Sequence, residues 1–256
     1  SEAVDLNDIK ALPELEQLVL HRLYEMDQTI REHIKAYEFG KLAKLLHDFC
    51  NEDLSAFYFD IRKDRLYCDR PDSFERRACR TVLAEIFSCL SSWLAPLLAF
   101  TAEEAWRFRP DGVFEDAESV HLREFPNVPE AWENKALAEK WKKIYLYRTY
   151  VYEQLENMRK DQKIRSSLEA KIFAYMSENN KQTLEGIDWA EICIVSAFEI
   201  SEDTVDSDIT WMTETAPGDK CTRCWKVLPE VGERMDGVCN RCADAVVWHQ
   251  KNKKAA

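Results

Sequence analysis

Apolar residues recur every three or four positions through most of the first half of the chain. Leu12, Leu15, Val19, Leu23, Met26, Ile30, Ile34 and Tyr37 make one such stripe, and Leu42, Leu45, Leu46, Phe49, Phe57 and Ile61 make a second. This spacing places each set on one face of an α-helix. Pro71 breaks the chain, and Asp72 with Glu75 fits a capping box that opens a third helix. Its stripe runs through Val82, Leu83, Ile86, Phe87, Leu90, Trp93, Leu94, Leu97 and Leu98, with Pro96 expected to kink it. Residues 109–129 read as a loop punctuated by Pro110, Asp111-Gly112, Pro126 and Pro129. A fourth helix carries Leu137, Trp141, Ile144, Tyr145, Arg148, Val151, Leu155 and Met158. Long amphipathic helices with short connections pack antiparallel as a bundle.

Beyond residue 165 the period changes. Residues 170–176 and 191–195 read as short strands, joined through a helical turn at 181–184, which gives a small β-α-β unit. Residues 201–208 read as an acidic linker, and 209–215 as one further strand. The expected architecture is mainly α. A helical bundle (1–165) precedes a small α/β unit with its acidic linker (166–219), and a zinc ribbon (220–256) closes the chain.

Composition narrows what this architecture can do. Only six glycines occur in 256 residues, none in a G-x-G-x-x-G, and the one G-x-x-x-x-G (Gly232 to Gly237) continues with Val-Cys. Rossmann and Walker phosphate loops are therefore absent. No apolar run reaches the roughly 18 residues that span a bilayer. The net charge of −12 argues by itself against nucleic acid, but it is an average. Residues 182–219 hold ten acidic side chains and no basic one, 140–165 hold eight basic and three acidic, and 220–256 hold eight basic and four acidic. Separate basic faces on an acidic chain remain compatible with RNA.

Of the nine cysteines, four stand as Cys221-Thr222-Arg223-Cys224 and Cys239-Asn240-Arg241-Cys242, with fourteen residues between the pairs. Two such knuckles converge four thiolates on one tetrahedral ion, and zinc suits soft sulfur ligands. Four protein ligands leave no open position, so one structural Zn2+ is expected, bound by Cys221, Cys224, Cys239 and Cys242. The other five cysteines are scattered and the first ten residues, acidic and polar, hold no apolar signal-peptide core, which fits a reduced, cytoplasmic protein.

Trp225 follows a knuckle cysteine and is either the core of the small finger or a platform for an unstacked base; burial alone slightly favours the core. Arg223 and Arg241 occupy matching places in the two knuckles, on one side of the ion, where phosphates or bases could be held. A second cluster, residues 57–67, interleaves aromatics with Arg62, Lys63 and Arg65 at a helix end. Composition alone favours basic residues answering the helix dipole there. No H-E-x-x-H or G-x-S-x-G occurs, and the pair Glu103-Glu104 reads as a solvated face, so no catalytic residue is assigned.

Four segments together resemble the isoleucyl-tRNA synthetases, class I enzymes, of bacterial type. They are Asp48-Phe49-Cys50-Asn51-Glu52-Asp53-Leu54-Ser55-Ala56-Phe57-Tyr58-Phe59-Asp60 running into Lys63-Asp64-Arg65-Leu66-Tyr67, then Pro96 to Trp106, Ser167-Leu168-Glu169-Ala170, and the terminal finger with Trp225. Arg165 departs from the family, which often has glycine there. The resemblance covers almost the whole chain. It implies the tRNA-reading C-terminal part of an enzyme that joins isoleucine to its tRNA with ATP. The His-x-Gly-His-like and Lys-Met-Ser-Lys-Ser-like motifs are missing, so the catalytic and editing domains are expected upstream in the same polypeptide. The implied partner is the anticodon stem-loop of tRNA, held between the bundle and the C-terminal modules. The candidate contacts are Lys63, Arg65 and Tyr67 on one side and Arg223, Trp225 and Arg241 on the other; no membrane is involved. Two rival readings are a DNA-repair enzyme with the same type of finger and a zinc-stapled interaction module.

Overall fold

The computed structural model describes residues 3–253 except 111–112, 115–116, 204 and 206–208. Asp111-Gly112 and half of the predicted acidic linker thus lie outside the described residues. By internal packing the chain divides into two compact units, Ser1–Arg62 with Pro71–Ala138, and Lys63–Arg70 with Glu139–Ala256.

The first unit is helical. The first stripe becomes helix α1 (Glu14–Lys35), which buries Leu15, Val19, Leu23, Met26 and Ile30. The second stripe is divided. Helix α2 (Phe39–Asp48) runs into a π-helical stretch (Phe49–Phe59) and then α3 (Asp60–Cys68). The wider π turns place Phe49, Leu54, Phe57 and Tyr58 in the core. Beside them, Arg62 Nε and Nη2 donate to the two carboxylate oxygens of Glu16 at 2.7 and 2.6 Å. The Tyr58 hydroxyl donates to Glu16 as well, at 3.0 Å, so a buried charge is fully engaged.

Helix α4 (Phe74–Leu94) opens one residue later than the capping box implied. Ser73 is its cap, accepting from the Arg76 N–H at 3.4 Å. Its hydroxyl meets the chain where the backbone is still extended. Pro96 does not kink this helix but ends it. α4 stops at Leu94 and α5 (Ala99–Arg107) starts afresh, since proline offers no N–H to continue the ladder. Trp106 of α5 is fully buried, lies parallel to Phe87 at 6.0 Å, and has Arg109 and Arg123 over its ring at 4.3 and 4.5 Å.

The second unit is built on α6 (Lys135–Lys160), of which Trp141, Ile144, Val151, Leu155 and Met158 are buried. Strand β1 (Ala170–Met176) alternates buried and half-buried positions. Two short helices, α7 (Glu178–Thr183) and α8 (Trp189–Ile192), cross over to β2 (Ala197–Ile200), which lies parallel to β1. β3 (Ile209–Thr215) is antiparallel to β1, giving the order β2-β1-β3.

The strand expected at 191–195 is a helix end instead. Asp188 accepts from the Glu191 N–H at 3.0 Å and caps α8. Cys193 and Val195 donate back to Trp189 and Ala190, and Ile194 adopts a φ of +54°, so the true strand begins at Ala197, six residues later than expected. Trp189, Phe198, Trp211 and Tyr147 pack ring against ring around this sheet. Arg165 takes no left-handed conformation; that φ falls at Gln162, +58°.

Candidate metal centre and nucleic-acid surface

The finger is a two-stranded ribbon, β4 (Asp219–Lys220) and β5 (Val227–Leu228), followed by α9 (Asn240–Lys253). The strands approach so closely at Gly218 that a Cβ there would stand 2.4 Å from the Leu228 backbone, and its φ of +107° suits glycine alone. In the first knuckle the Trp225 N–H donates to the Cys221 carbonyl at 2.9 Å, and the Cys221 N–H to the Lys226 carbonyl at 2.8 Å. Thr222 ties this knuckle to the second, its N–H and its hydroxyl both donating to the Gly237 carbonyl at 2.9 Å.

The result is four buried sulfurs within 4.8 Å of one another, with Cys224 Sγ and Cys239 Sγ 3.7 Å apart. Tetrahedral zinc with bonds near 2.3 Å requires sulfurs about 3.8 Å apart. The donor set therefore fits one four-coordinate Zn2+, with no ligand position left for water or substrate. Burial pushes the Cys221 thiol up, but the N–H groups of Cys224, Cys239 and Arg223 more than offset this and bring it to about 6.

Trp225 is not the finger's core. The core is Val238 and Ala243 with Leu228, Val231 and Met235 against the cysteines. Trp225 is 61% exposed, and it sits at φ +67°, in a left-handed turn that a bulky L-residue adopts only at a cost of about 1–2 kcal/mol. The first knuckle closes by a bond from this residue's N–H to the Cys221 carbonyl, and the indole is left exposed.

The other candidate contacts all belong to the same compact unit. Lys63 and Tyr67 are exposed, Tyr67 to 78%. Arg65 donates to both oxygens of Glu191, at 2.9 and 3.1 Å, and reaches Asp188 and Asp69 at 3.4 Å. Burial would lower the Arg65 pKa, but the Glu191 carboxylate outweighs it and raises it. Arg241 forks onto Asp64, at 2.7 and 2.8 Å, and touches Asp69 at 3.1 Å. Burial pushes the Asp64 carboxyl up and Arg241 more than reverses it, whereas at Asp69 burial prevails and the carboxyl is raised.

Arg223 donates through Nη2 to the Tyr67 carbonyl at 2.9 Å and through Nη1 to the Cys68 carbonyl. The carbonyls at the end of α3 are thus met by an arginine of the finger rather than by basic residues of α3. Beside Arg65, Arg241, Asp188 and Lys226 opens a cleft of about 220 Å³ with charges of both signs. The residues sequence reasoning passed over are Asp64, Asp69, Asp188 and Glu191, the acidic partners of these arginines. Charge totals hid them, because most of their partners are distant in sequence.

A helical unit, a small three-stranded sheet and a four-cysteine finger define a mainly helical protein that ends in a zinc-ribbon type of module. The family model for the anticodon-binding domain of tRNA ligase matches residues 16–174, more than half of the chain, and the chain belongs to that family. A second model, the zinc finger found in FPG and IleRS, matches residues 218–245.

Within the family the likeness is to isoleucine–tRNA ligases. The chain is 47% identical to that of Agrobacterium fabrum over 231 residues, which is 86% of this chain and 24% of the relative. It is 44% identical to those of Gluconobacter oxydans over 250 residues and Zymomonas mobilis over 251, each 96% of this chain and 25% of the relative. The chain spans about a quarter of the length of the curated relatives it matches. Among the described residues no helix is long and apolar enough to cross a membrane.

Proposed function

We propose that this chain reads the anticodon stem-loop of a tRNA for an isoleucine–tRNA ligase and takes no part in amino-acid activation. The observation that carries this reading is Trp225: a large aromatic turned outward, in a strained turn, beside a metal site that fixes it. Bases of a single-stranded loop stack on such surfaces, and stacking needs little net positive charge. Lys63 and Tyr67 extend the candidate face, with Arg65, Arg223 and Arg241 beside it. The zinc is structural: Cys221, Cys224, Cys239 and Cys242 hold it, and it supplies rigidity. Activation and editing belong to other domains of a longer, cytoplasmic polypeptide, a reading supported by the match to only about a quarter of the length of the isoleucine–tRNA ligases.

The working modules are the bundle (1–165), the α/β unit (166–219) and the finger (220–256). Packing cuts the chain elsewhere, since residues 63–70 and most of α6 pack with the C-terminal residues. The test is binding of tRNA by the zinc-loaded chain at fixed salt, with the matched anticodon and with a replaced one. Loss of affinity on replacement supports the reading. Equal binding reduces the chain to a non-specific RNA surface. Isoleucine-dependent exchange of pyrophosphate into ATP by the pure chain would overturn the division of labour.

A further inference from the structure

The two knuckle arginines have the sequence positions of RNA-facing residues, yet both turn toward residues 63–70 of their own unit. Arg223 is the more informative. Its guanidinium donates to the Cys242 sulfur at 3.6 Å, and the same group donates to the carbonyls of Tyr67 and Cys68. One side chain therefore touches a metal ligand and the last turn of α3 at once. Further contacts join the same two segments. The Cys68 thiol donates to the Arg223 carbonyl at 3.9 Å. Arg241, one residue before Cys242, forks onto Asp64, and Arg70 reaches Asp244 at 3.3 Å. Cys68 is buried in one cluster with the four ligands.

We propose that Arg223 and Arg241 are positioning residues: together they latch the finger onto residues 63–70, and Arg223 couples that latch directly to the zinc site. One guanidinium holds the Cys242 sulfur and the two carbonyls at the end of α3, so a shift of that ligand when the finger loses its metal withdraws Arg223 from the carbonyls it satisfies. Metal occupancy, the order of residues 63–70 and the placement of Trp225 become one event. Arg241 supports the same geometry through Asp64 and touches no ligand sulfur, so it should govern the latch more than the metal.

The test uses the full chain and two readouts, neither of which involves RNA. The first is zinc affinity, by competition with a chromophoric chelator. The second is hydrogen exchange of the amides of residues 63–70. Arg223→Ala should weaken zinc roughly 10–100-fold, the usual effect of removing an outer partner of a ligand, and should speed exchange across 63–70. Arg223→Lys should recover part of both, because an ammonium reaches one of the three acceptors at a time. Arg241→Ala should speed the same exchange while changing zinc affinity several-fold less. Chelating zinc from the unaltered chain should speed exchange at 63–70 as Arg223→Ala does, which keeps the test decisive if a variant folds poorly. Full protection of 63–70 in the zinc-free chain, or zinc affinity within twofold of wild type in Arg223→Ala, would overturn the proposal. Either result leaves the RNA reading standing, and failure of the RNA reading leaves this one intact.

Discussion

The helical unit and the four-cysteine finger reach stability by different routes. In the first, stripes of Leu, Ile, Val and aromatic side chains are removed from water, and Trp93, Trp106, Leu23, Met26 and Ile30 are fully buried. Each such side chain contributes roughly 1.5–3 kcal/mol. The finger has a handful of apolar side chains around four cysteines. It stands on a metal site and on arginines forked onto carboxylates and carbonyls. A core tolerates change in proportion to the surface lost, whereas a coordination site fails as a whole. The contrast suits a recognition role, because a metal-fixed turn can hold an aromatic side chain outward in a conformation that a small apolar core could not enforce.

The largest effect should come from removing zinc. Its binding free energy is the finger's folding free energy, on the order of 10 kcal/mol or more. Chelation should therefore melt the finger and leave the helical signal of the first unit nearly unchanged, as followed by circular dichroism and near-ultraviolet tryptophan signals. Cooperative loss of both would erase the distinction between the units.

Next in size is Arg62→Ala. It strands the fully buried Glu16 carboxylate and should cost about 3–5 kcal/mol, measured by denaturant unfolding, while zinc content stays at one per chain. Leu23→Ala should cost about 2–5 kcal/mol by leaving a cavity in the same core, again without metal loss. A smaller effect is expected for Arg65→Gln, which removes the fork onto Glu191 and should cost about 1 kcal/mol of thermal stability in the second unit. Measuring tRNA affinity alongside separates its two possible roles. A stability loss with unchanged affinity marks Arg65 as a brace, and the reverse marks it as an RNA contact.

Much of this was legible in the chain. The 3.6-residue period found the helices, because each buries one face and the pattern is local. The four ligands were legible for the same reason: a C-x-x-C knuckle is a local turn with a chemical requirement. Misreadings arose where local pattern competed with something more distant or more specific. The apolar run at 191–195 looks like a strand, but Asp188 caps a helix there, and Glu191 is bound to Arg65, 126 positions away. Pro96 ends a helix rather than bending it: α4 stops at Leu94 and α5 starts afresh at Ala99. Trp225 could not be placed from composition, since an indole serves a core or a surface equally well; the backbone turn decides it.

The most direct measurement is the tRNA affinity of Trp225→Ala beside wild type, at one stated salt concentration, with zinc content determined on the same samples. Salt is fixed because phosphate contacts release counterions and weaken as it rises. With zinc still at one per chain, Trp225→Ala should lose affinity worth about 1–3 kcal/mol for the matched anticodon and little for a replaced one. Unchanged affinity in a zinc-loaded variant would contradict the claim that the finger presents this indole to the anticodon.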